Sequence, residues 1–170
     1  MKRKKSTLLI AGIVGGIVMT GAIFGHKKVH VELVIPAPPA TIWAVLTDAP
    51  RYKEWNPVFV NVTGEHKEGA TLTYQMKGQS GKVSSVTAKV NKLVFEREIN
   101  QGGGIPGILT FDHHWVLEPV DGGTKVTQWE QYRGVGVWFW DPSWFEAKYQ
   151  EAIESLRDRV MNQPDTGEGK

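Results

Sequence analysis

The sequence predicts an α+β fold in which a curved, seven-stranded antiparallel sheet surrounds one long C-terminal helix, with one transmembrane helix in front. Three observations support this prediction. An uncharged apolar run stands near the N-terminus, seven segments of strand character follow, and an apolar stripe with helical spacing lies near the C-terminus. Because one helix cannot cover a flat sheet of seven strands, the sheet must curve around it and leave a cavity, a geometry that suits an apolar ligand.

The composition restricts the classes of function. With 170 residues the chain has the length of one domain. The absence of cysteine excludes disulfides, thiolate metal sites, a cysteine nucleophile and an acylated-cysteine anchor. Six of the 20 basic residues precede Val29 in a stretch without acids, so 14 basic and 18 acidic residues remain, a net charge of −4. No basic stripe is left for a phosphate backbone, and nucleic-acid binding is not expected.

The N-terminal run predicts a membrane anchor. It begins at Ser6 and ends at Gly25, and its 20 residues carry no charge. A helix of this length measures roughly 30 Å, which matches the hydrocarbon core of a bilayer. Four basic residues precede the run and two follow it, which favours a single-pass topology with the N-terminus in the cytoplasm and the domain outside.

Two further interpretations of this run stay open. A cleaved signal peptide would share the basic start, but the run is longer than is usual for such peptides, and Thr20-Gly21-Ala22 is a poor cleavage site. Glycines at a spacing of four could let two anchor helices approach closely and form a homodimer, although glycine is common in membrane helices generally. These glycines are Gly12, Gly16, Gly21 and Gly25.

Each element of the soluble part has its own signal. Residues 29–35 alternate and are rich in β-branched side chains, which predicts the first strand. Prolines begin a helix in which Ile42, Val45 and Leu46 recur at helical spacing, and a second helical turn is expected from Asp48 to Trp55. The tight turn Asp121-Gly122-Gly123 predicts a hairpin. The remaining strands are expected near residues 58–65, 70–77, 82–90, 92–99, 108–118 and 124–133.

A long amphipathic helix is predicted at the C-terminal end. Asp141 and Pro142 suit its N-cap and first turn. The tail from Gln163 is polar and is expected to be flexible. The apolar stripe of the helix consists of Phe145, Tyr149, Ala152, Ile153, Leu156 and Val160.

The segment IPAPPATIWAVLTDAPRYKEWNP, the hairpin EPVDGGTKVTQWE and the C-terminal helix together resemble the SRPBCC superfamily, which includes START domains and the polyketide cyclase/dehydrase family. The resemblance extends from Val29 to Met161. It implies a helix-grip fold with a hydrophobic pocket, but no single chemistry, because members bind lipids, steroids or polyketides or catalyse cyclisation. The expected division is an anchor at 1–28, a ligand-binding domain at 29–162 and a tail at 163–170.

One pair of residues suggests chemistry. If Leu117 lies opposite Val126 across the hairpin turn, then His113 faces Glu130. A buried carboxylate beside an imidazole would favour the charged histidine and could act as an acid/base pair. Alternatively, the pair recognises a polar group of a ligand, or it has only a structural role. His114 points to the other face of its strand, so the two histidines cannot chelate one metal ion, and no metal site or cofactor is expected.

Strand alternation predicts which residues line the pocket. The segment 102–107 is rich in glycine and is interpreted as a flexible lid or as an ordinary connection. A cluster of aromatic residues runs through Trp138, Phe139, Trp140, Trp144 and Phe145, and it either seats the helix or contacts a membrane interface. The predicted pocket residues are Leu72, Tyr74, Met76, Phe95, Phe111, Trp115, Gln128 and Tyr132.

The expected function is membrane-tethered binding of a hydrophobic small molecule such as a lipid, an isoprenoid or a polyketide-like compound. The alternative is a cofactor-free cyclase or dehydratase that uses His113 and Glu130. A third possibility is an interaction module whose exposed aromatic residues contact a partner protein.

Overall fold

The described part of the chain has the predicted order of strands and helices. The computed structural model describes residues 25–78, 80–139, 141 and 143–162. Two short 3-10 helices, Ala49–Arg51 and Val135–Phe139, flank the longer elements. The strands are β1 (His26–Ile35), β2 (Phe59–Thr63), β3 (Thr71–Lys77), β4 (Val83–Val94), β5 (Glu98–Ile105), β6 (Leu109–Val120) and β7 (Gly123–Arg133), and the α-helices are α1 (Pro39–Thr47), α2 (Tyr52–Trp55) and α3 (Ser143–Met161).

The seven strands form one curled antiparallel sheet in the order β1-β7-β6-β5-β4-β3-β2. Strands β2 to β7 follow one another as a meander, and β1 joins the far edge by pairing with β7. The sheet curls around α3, so the predicted helix-grip-like arrangement and the count of seven strands are confirmed for the described residues.

Helix α3 presents the predicted stripe to the sheet. Tyr149, Ala152, Ile153, Leu156 and Val160 are all buried, and they recur every three or four residues, as one face of a helix requires. The cap is also as expected, because the backbone N–H of Ser143 donates to Oδ1 of Asp141 at 3.0 Å. This buried face forms one wall of the core.

The boundary between β4 and β5 differs from the prediction. We expected two strands at 82–90 and 92–99, but β4 continues to Val94. A register shift between Val90 and Lys92 absorbs one extra residue without ending the strand. The turn comes at residues 95–97, where Glu96 adopts a positive φ of 55° and no glycine or proline marks the reversal.

The glycine-rich segment is mostly strand, which corrects its interpretation as a lid or connection. Gly102, Gly103 and Gly104 all pair with β6, and the turn is confined to residues 106–108. A side chain at Gly103 would be excluded, since its Cβ would lie 2.4 Å from the carbonyl oxygen of Thr87 and 2.8 Å from Cζ of Phe111. Glycine is therefore used here for close packing.

Strand β1 begins at His26, three residues before its predicted start. The predicted anchor from Ser6 lies outside the described residues except for Gly25, as do its other glycines and the tail 163–170. Within the described part, no helix combines the length and the apolar character that a membrane crossing needs.

Candidate ligand-binding pocket

A cavity of about 300 Å³ lies between the concave face of the sheet and α3. Its wall is mainly apolar and aromatic, with three polar side chains from adjacent strands. This size is at the lower end of the range for small-molecule sites. The wall consists of Tyr52, Phe59, Tyr74, Met76, Val86, Ala88, Gln101, Gly104, Leu109, Phe111, His113, Trp115, Glu130, Tyr132, Phe145 and Tyr149.

The β6–β7 hairpin has the predicted register. Val120 pairs with Gly123, which leaves Asp121 and Gly122 as a two-residue turn, and Gly122 supplies the positive φ of 84° that such a turn requires. The turn fixes every pair along the two strands. The confirmed pairs are Leu117 with Val126, Trp115 with Gln128, His113 with Glu130, and Phe111 with Tyr132.

Three of the eight predicted pocket residues do not line the cavity. Leu72 is fully buried in the core, and Gln128 is buried behind His113. Phe95 lies in the β4–β5 turn, is 73% exposed and packs edge-to-face with the ring of Trp43. The five that line the cavity are Tyr74, Met76, Phe111, Trp115 and Tyr132, together with the predicted pair His113 and Glu130.

His113 and Glu130 lie opposite one another, but they are bonded to other residues. The amide nitrogen Nε2 of Gln128 lies 3.1 Å from Nε2 of His113. The two side chains therefore form a hydrogen bond through these two nitrogen positions. Burial, helped by the nearby His114, lowers the pKa of His113 to about 3. The expected charged histidine is therefore wrong, and His113 is neutral at pH 7.

Glu130 joins the sheet to α3. The hydroxyl of Tyr132 donates to Oε2 of Glu130 at 2.5 Å, and the hydroxyl of Tyr149 donates to the same oxygen. Burial raises the pKa of Glu130 to about 7, against the lowering effect of the two tyrosine hydrogen bonds. Burial also raises the pKa of both tyrosines, so they remain donors. Near neutral pH the carboxyl group is consequently close to its titration midpoint.

Gln101 was missed by the sequence analysis. It faces His113 in the register of β5 and β6, so Gln101, His113 and Glu130 form one polar row across three neighbouring strands. The hydroxyl of Tyr74 donates to Oε1 of Gln101 at 2.6 Å. The amide nitrogen Nε2 is buried and has no hydrogen-bond partner among the described residues. An unsatisfied buried donor costs about 1–3 kcal/mol, so a ligand oxygen here would be stabilising.

Two further lining residues lie within the predicted strand 82–90 and were still missed. Val86 and Ala88 lie on the inner face of β4, where they pair with Tyr74 and Leu72 of β3. Tyr149 belonged to the predicted apolar stripe, but its spacing alone did not show that its hydroxyl reaches Glu130.

Outside the cavity, His114 points to the opposite face from His113, as predicted. Its Nδ1 lies 3.1 Å from Oε1 of Glu98, and its ring stacks on Trp129 with a centroid distance of 3.7 Å. No group of three or more His, Asp or Glu side chains with metal-binding geometry occurs among residues 25–162 as far as they are described.

The aromatic cluster before α3 divides into two parts. Phe145 lines the cavity, contacts Tyr149 and Trp144, and helps to seat the helix. Trp138 and Phe139 are exposed instead. Trp140 lies outside the described residues.

Comparisons with known proteins agree with this architecture. A protein of Rhizobium leguminosarum has 16% identity and a TM-score of 0.66 over 81% of this chain and 96% of its own. The protein Ara h 8.0201 has 19% identity and a TM-score of 0.62 over 82% of this chain and 100% of its own. The di-domain ARO/CYC protein BexL of the BE-7585A biosynthetic pathway has 13% identity and a TM-score of 0.69, and the match covers 96% of this chain but 58% of BexL.

At these identities the structural similarities show the fold alone. A comparison with curated proteins finds no match. The sequence model of one family, described as polyketide cyclase / dehydrase and lipid transport, matches residues 26–161, which include all seven strands and α3. The chain therefore belongs to the polyketide cyclase / dehydrase and lipid transport family.

Proposed function

We propose that this protein binds a hydrophobic small molecule that carries an oxygen acceptor, and that it does so at a membrane to which residues 6–25 tether it. The observation that supports binding most directly is the cavity of about 300 Å³ between the sheet and α3. Its apolar wall would be unfavourable in contact with water, so an apolar occupant gains from burial there.

The polar row defines the ligand class further. Gln101 offers an N–H that has no partner within the described part of the chain, and Glu130 can accept or donate a hydrogen bond near neutral pH. A carbonyl or hydroxyl oxygen fits these groups, whereas a permanent charge would have to be buried among apolar side chains. Lipids, isoprenoids and polyketide-like compounds with a ketone or hydroxyl group meet both requirements.

The tether rests on the sequence. The run from Ser6 to Gly25 has the length and composition of a membrane span, and its flanking charges favour a cytoplasmic N-terminus and an extracytoplasmic domain.

Native mass spectrometry of the full chain, released from detergent micelles, tests the binding proposal. We expect a small-molecule adduct that is lost on denaturation. Ala88→Trp should abolish the adduct by filling the cavity, whereas Lys89→Trp, on the exposed face of the same strand, should retain it. The same spectra give the stoichiometry and so test the predicted homodimer. An empty wild-type protein that also takes up no fluorescent long-chain alcohol, an uncharged probe with one hydroxyl group, would exclude ligand binding.

A second candidate function, a cyclase or dehydratase, is favoured by one specific observation. Glu130 lines the cavity with a pKa of about 7, which is near the optimum for a general base or acid at neutral pH. Its carboxylate would remove a proton from the carbon beside a ligand carbonyl, and the N–H of Gln101 would stabilise the resulting enolate oxygen. In this case Glu130→Gln abolishes turnover of a poly-β-ketone but leaves its binding intact, while a pure binding protein shows no turnover at all.

A further inference from the structure

Four large apolar side chains are exposed together at one end of the sheet. Ile105 ends β5 and Ile108 is the last residue of the β5–β6 turn, and they are 61% and 55% exposed. Trp138 and Phe139 end the 3-10 helix after β7 and are 64% and 88% exposed. Backbone hydrogen bonds hold the two segments together, from Val135 N–H to the oxygen of Gly107 and from Gly136 N–H to that of Ile108. These four side chains form the apolar rim.

The apolar rim lies at the end of the sheet that contains the pocket. Since the strands are antiparallel, the last residues of β5 and β7 and the first residues of β6 meet at one end. Cavity residues Gly104, Leu109 and Tyr132 come from these three positions. The opposite end is filled by buried apolar side chains such as Leu117 and Val126.

The N-terminal segment also enters the domain at this end. The backbone N–H of Gly134 donates to the oxygen of Gly25 at 3.0 Å, and His26 pairs with Arg133. Gly25 is the last residue of the uncharged apolar run. The run therefore ends at a residue that is hydrogen-bonded to Gly134, and Gly134 precedes Trp138 by four residues along the chain. Lys27 and Lys28 follow directly and bring positive charge to the same end.

From this coincidence we propose that the apolar rim docks into the surface of a lipid bilayer, with the pocket end of the domain facing the lipid. The proposal rests on the tether proposed above, because an anchor that leaves the bilayer at Gly25 holds the rim at the headgroup region. Tryptophan is favoured at such interfaces, and nearby lysines attract anionic lipids. Ligand then passes between bilayer and pocket with little exposure to water.

The absence of cysteine makes this proposal directly testable. Phe139→Cys in the full chain is labelled with the fluorophore NBD and reconstituted in phosphatidylcholine–phosphatidylglycerol vesicles that contain spin-labelled lipid. The matched control is Phe95→Cys, an exposed aromatic position in the β4–β5 turn at the opposite end of the sheet. We expect a blue-shifted emission that is quenched by the spin-labelled lipid at position 139, and aqueous emission without quenching at position 95.

Other outcomes separate the proposals. Vesicle flotation without quenching at position 139 overturns docking and leaves the tether intact. A blue shift without quenching means that protein covers the rim, either a second copy or the chain's own N-terminal segment, and this also overturns docking to lipid. A chain that does not float with the vesicles refutes the tether and docking together, and the adduct measured by mass spectrometry reports on ligand binding separately.

Discussion

Replacing Glu130 by glutamine should change how the stability of the protein depends on pH. The carboxyl group is buried against Tyr132 and Tyr149, and burial raises its pKa from 4.5 to about 7. A tenfold change in proton affinity is worth about 1.4 kcal/mol, so this rise corresponds to roughly 3 kcal/mol. Because the folded state holds the proton more tightly, Glu130 contributes most to stability below pH 4.5, and this contribution is lost as the pH rises through about 7.

The pKa shift of His113 has the opposite effect on the pH dependence of stability. In the wild-type protein it would hide the trend caused by Glu130. The pKa of His113 is lowered from 6.5 to about 3, so its contribution is present above pH 6.5 and is lost as the pH falls towards 3. Between pH 4.5 and 6.5 the two slopes cancel. The difference between wild type and Glu130→Gln, taken at each pH, isolates the glutamate because His113 is common to both.

The assay is urea unfolding of the full chain in dodecyl maltoside micelles at several pH values between 4.5 and 8. As the pH rises across this range, the free energy of unfolding of the variant should increase by roughly 3 kcal/mol relative to that of the wild type. A pH-independent difference from the altered hydrogen bonds adds to this change. Ser85→Ala, at an exposed position of β4 that carries no titratable group, is the control and should show a constant difference. A constant difference for Glu130→Gln as well would refute the argument.

Three further predictions concern packing and the tyrosine bonds. Gly103→Ala should destabilise the protein by about 1–3 kcal/mol in urea unfolding, because the added Cβ meets the Thr87 carbonyl oxygen. The control Gly78→Ala should cost much less, because the nearest atom to its added Cβ lies at 3.5 Å. Equal effects of the two substitutions would contradict the close-packing role of Gly103. Ile153→Ala, fully buried on α3, should cost about 2–5 kcal/mol in thermal unfolding, and a change below about 1 kcal/mol would show that α3 is not gripped by the sheet. Tyr149→Phe removes a donor that lowers the pKa of Glu130, so that pKa should rise further, as infrared titration of the carboxyl stretch would measure; an unchanged or lower value would exclude the hydrogen bond.

The parts of the fold with local signals were predictable from sequence. The Asp121-Gly122 turn fixes the β6–β7 register, and from that one turn the opposition of His113 and Glu130 followed correctly. The stripe on α3 was equally clear, because a period of 3.6 over 19 residues leaves little ambiguity.

The remaining errors come from features without a local signal. The bulge near Val90 and the positive φ of Glu96 depend on tertiary packing, so the end of β4 was misplaced. That error concealed Gln101 and placed Phe95 in the pocket. The hydrogen bonds of Glu130 could not be predicted at all, since the Tyr149 hydroxyl reaches it from a helix 19 residues further along the chain. Strand alternation predicts which face a side chain is on, but it gives no distances. It therefore cannot predict which neighbour forms a hydrogen bond with a buried carboxylate.

The pairing of β1 with β7 has a consequence for how the chain folds. Ile35 pairs with Thr124 and His26 with Arg133, so the first strand finds its partner about a hundred residues later. During synthesis β1 emerges first and has no strand to pair with until nearly the whole chain has been made. A topology with such distant contacts folds slowly, on the scale of about milliseconds to seconds. The reason is that the entropy of closing the long loop is lost before the strand pairing stabilises the structure. Throughout that interval β1 presents unpaired backbone groups and the side chains of Val29, Val31 and Ile35, so it is the segment most exposed to misassociation before the sheet closes.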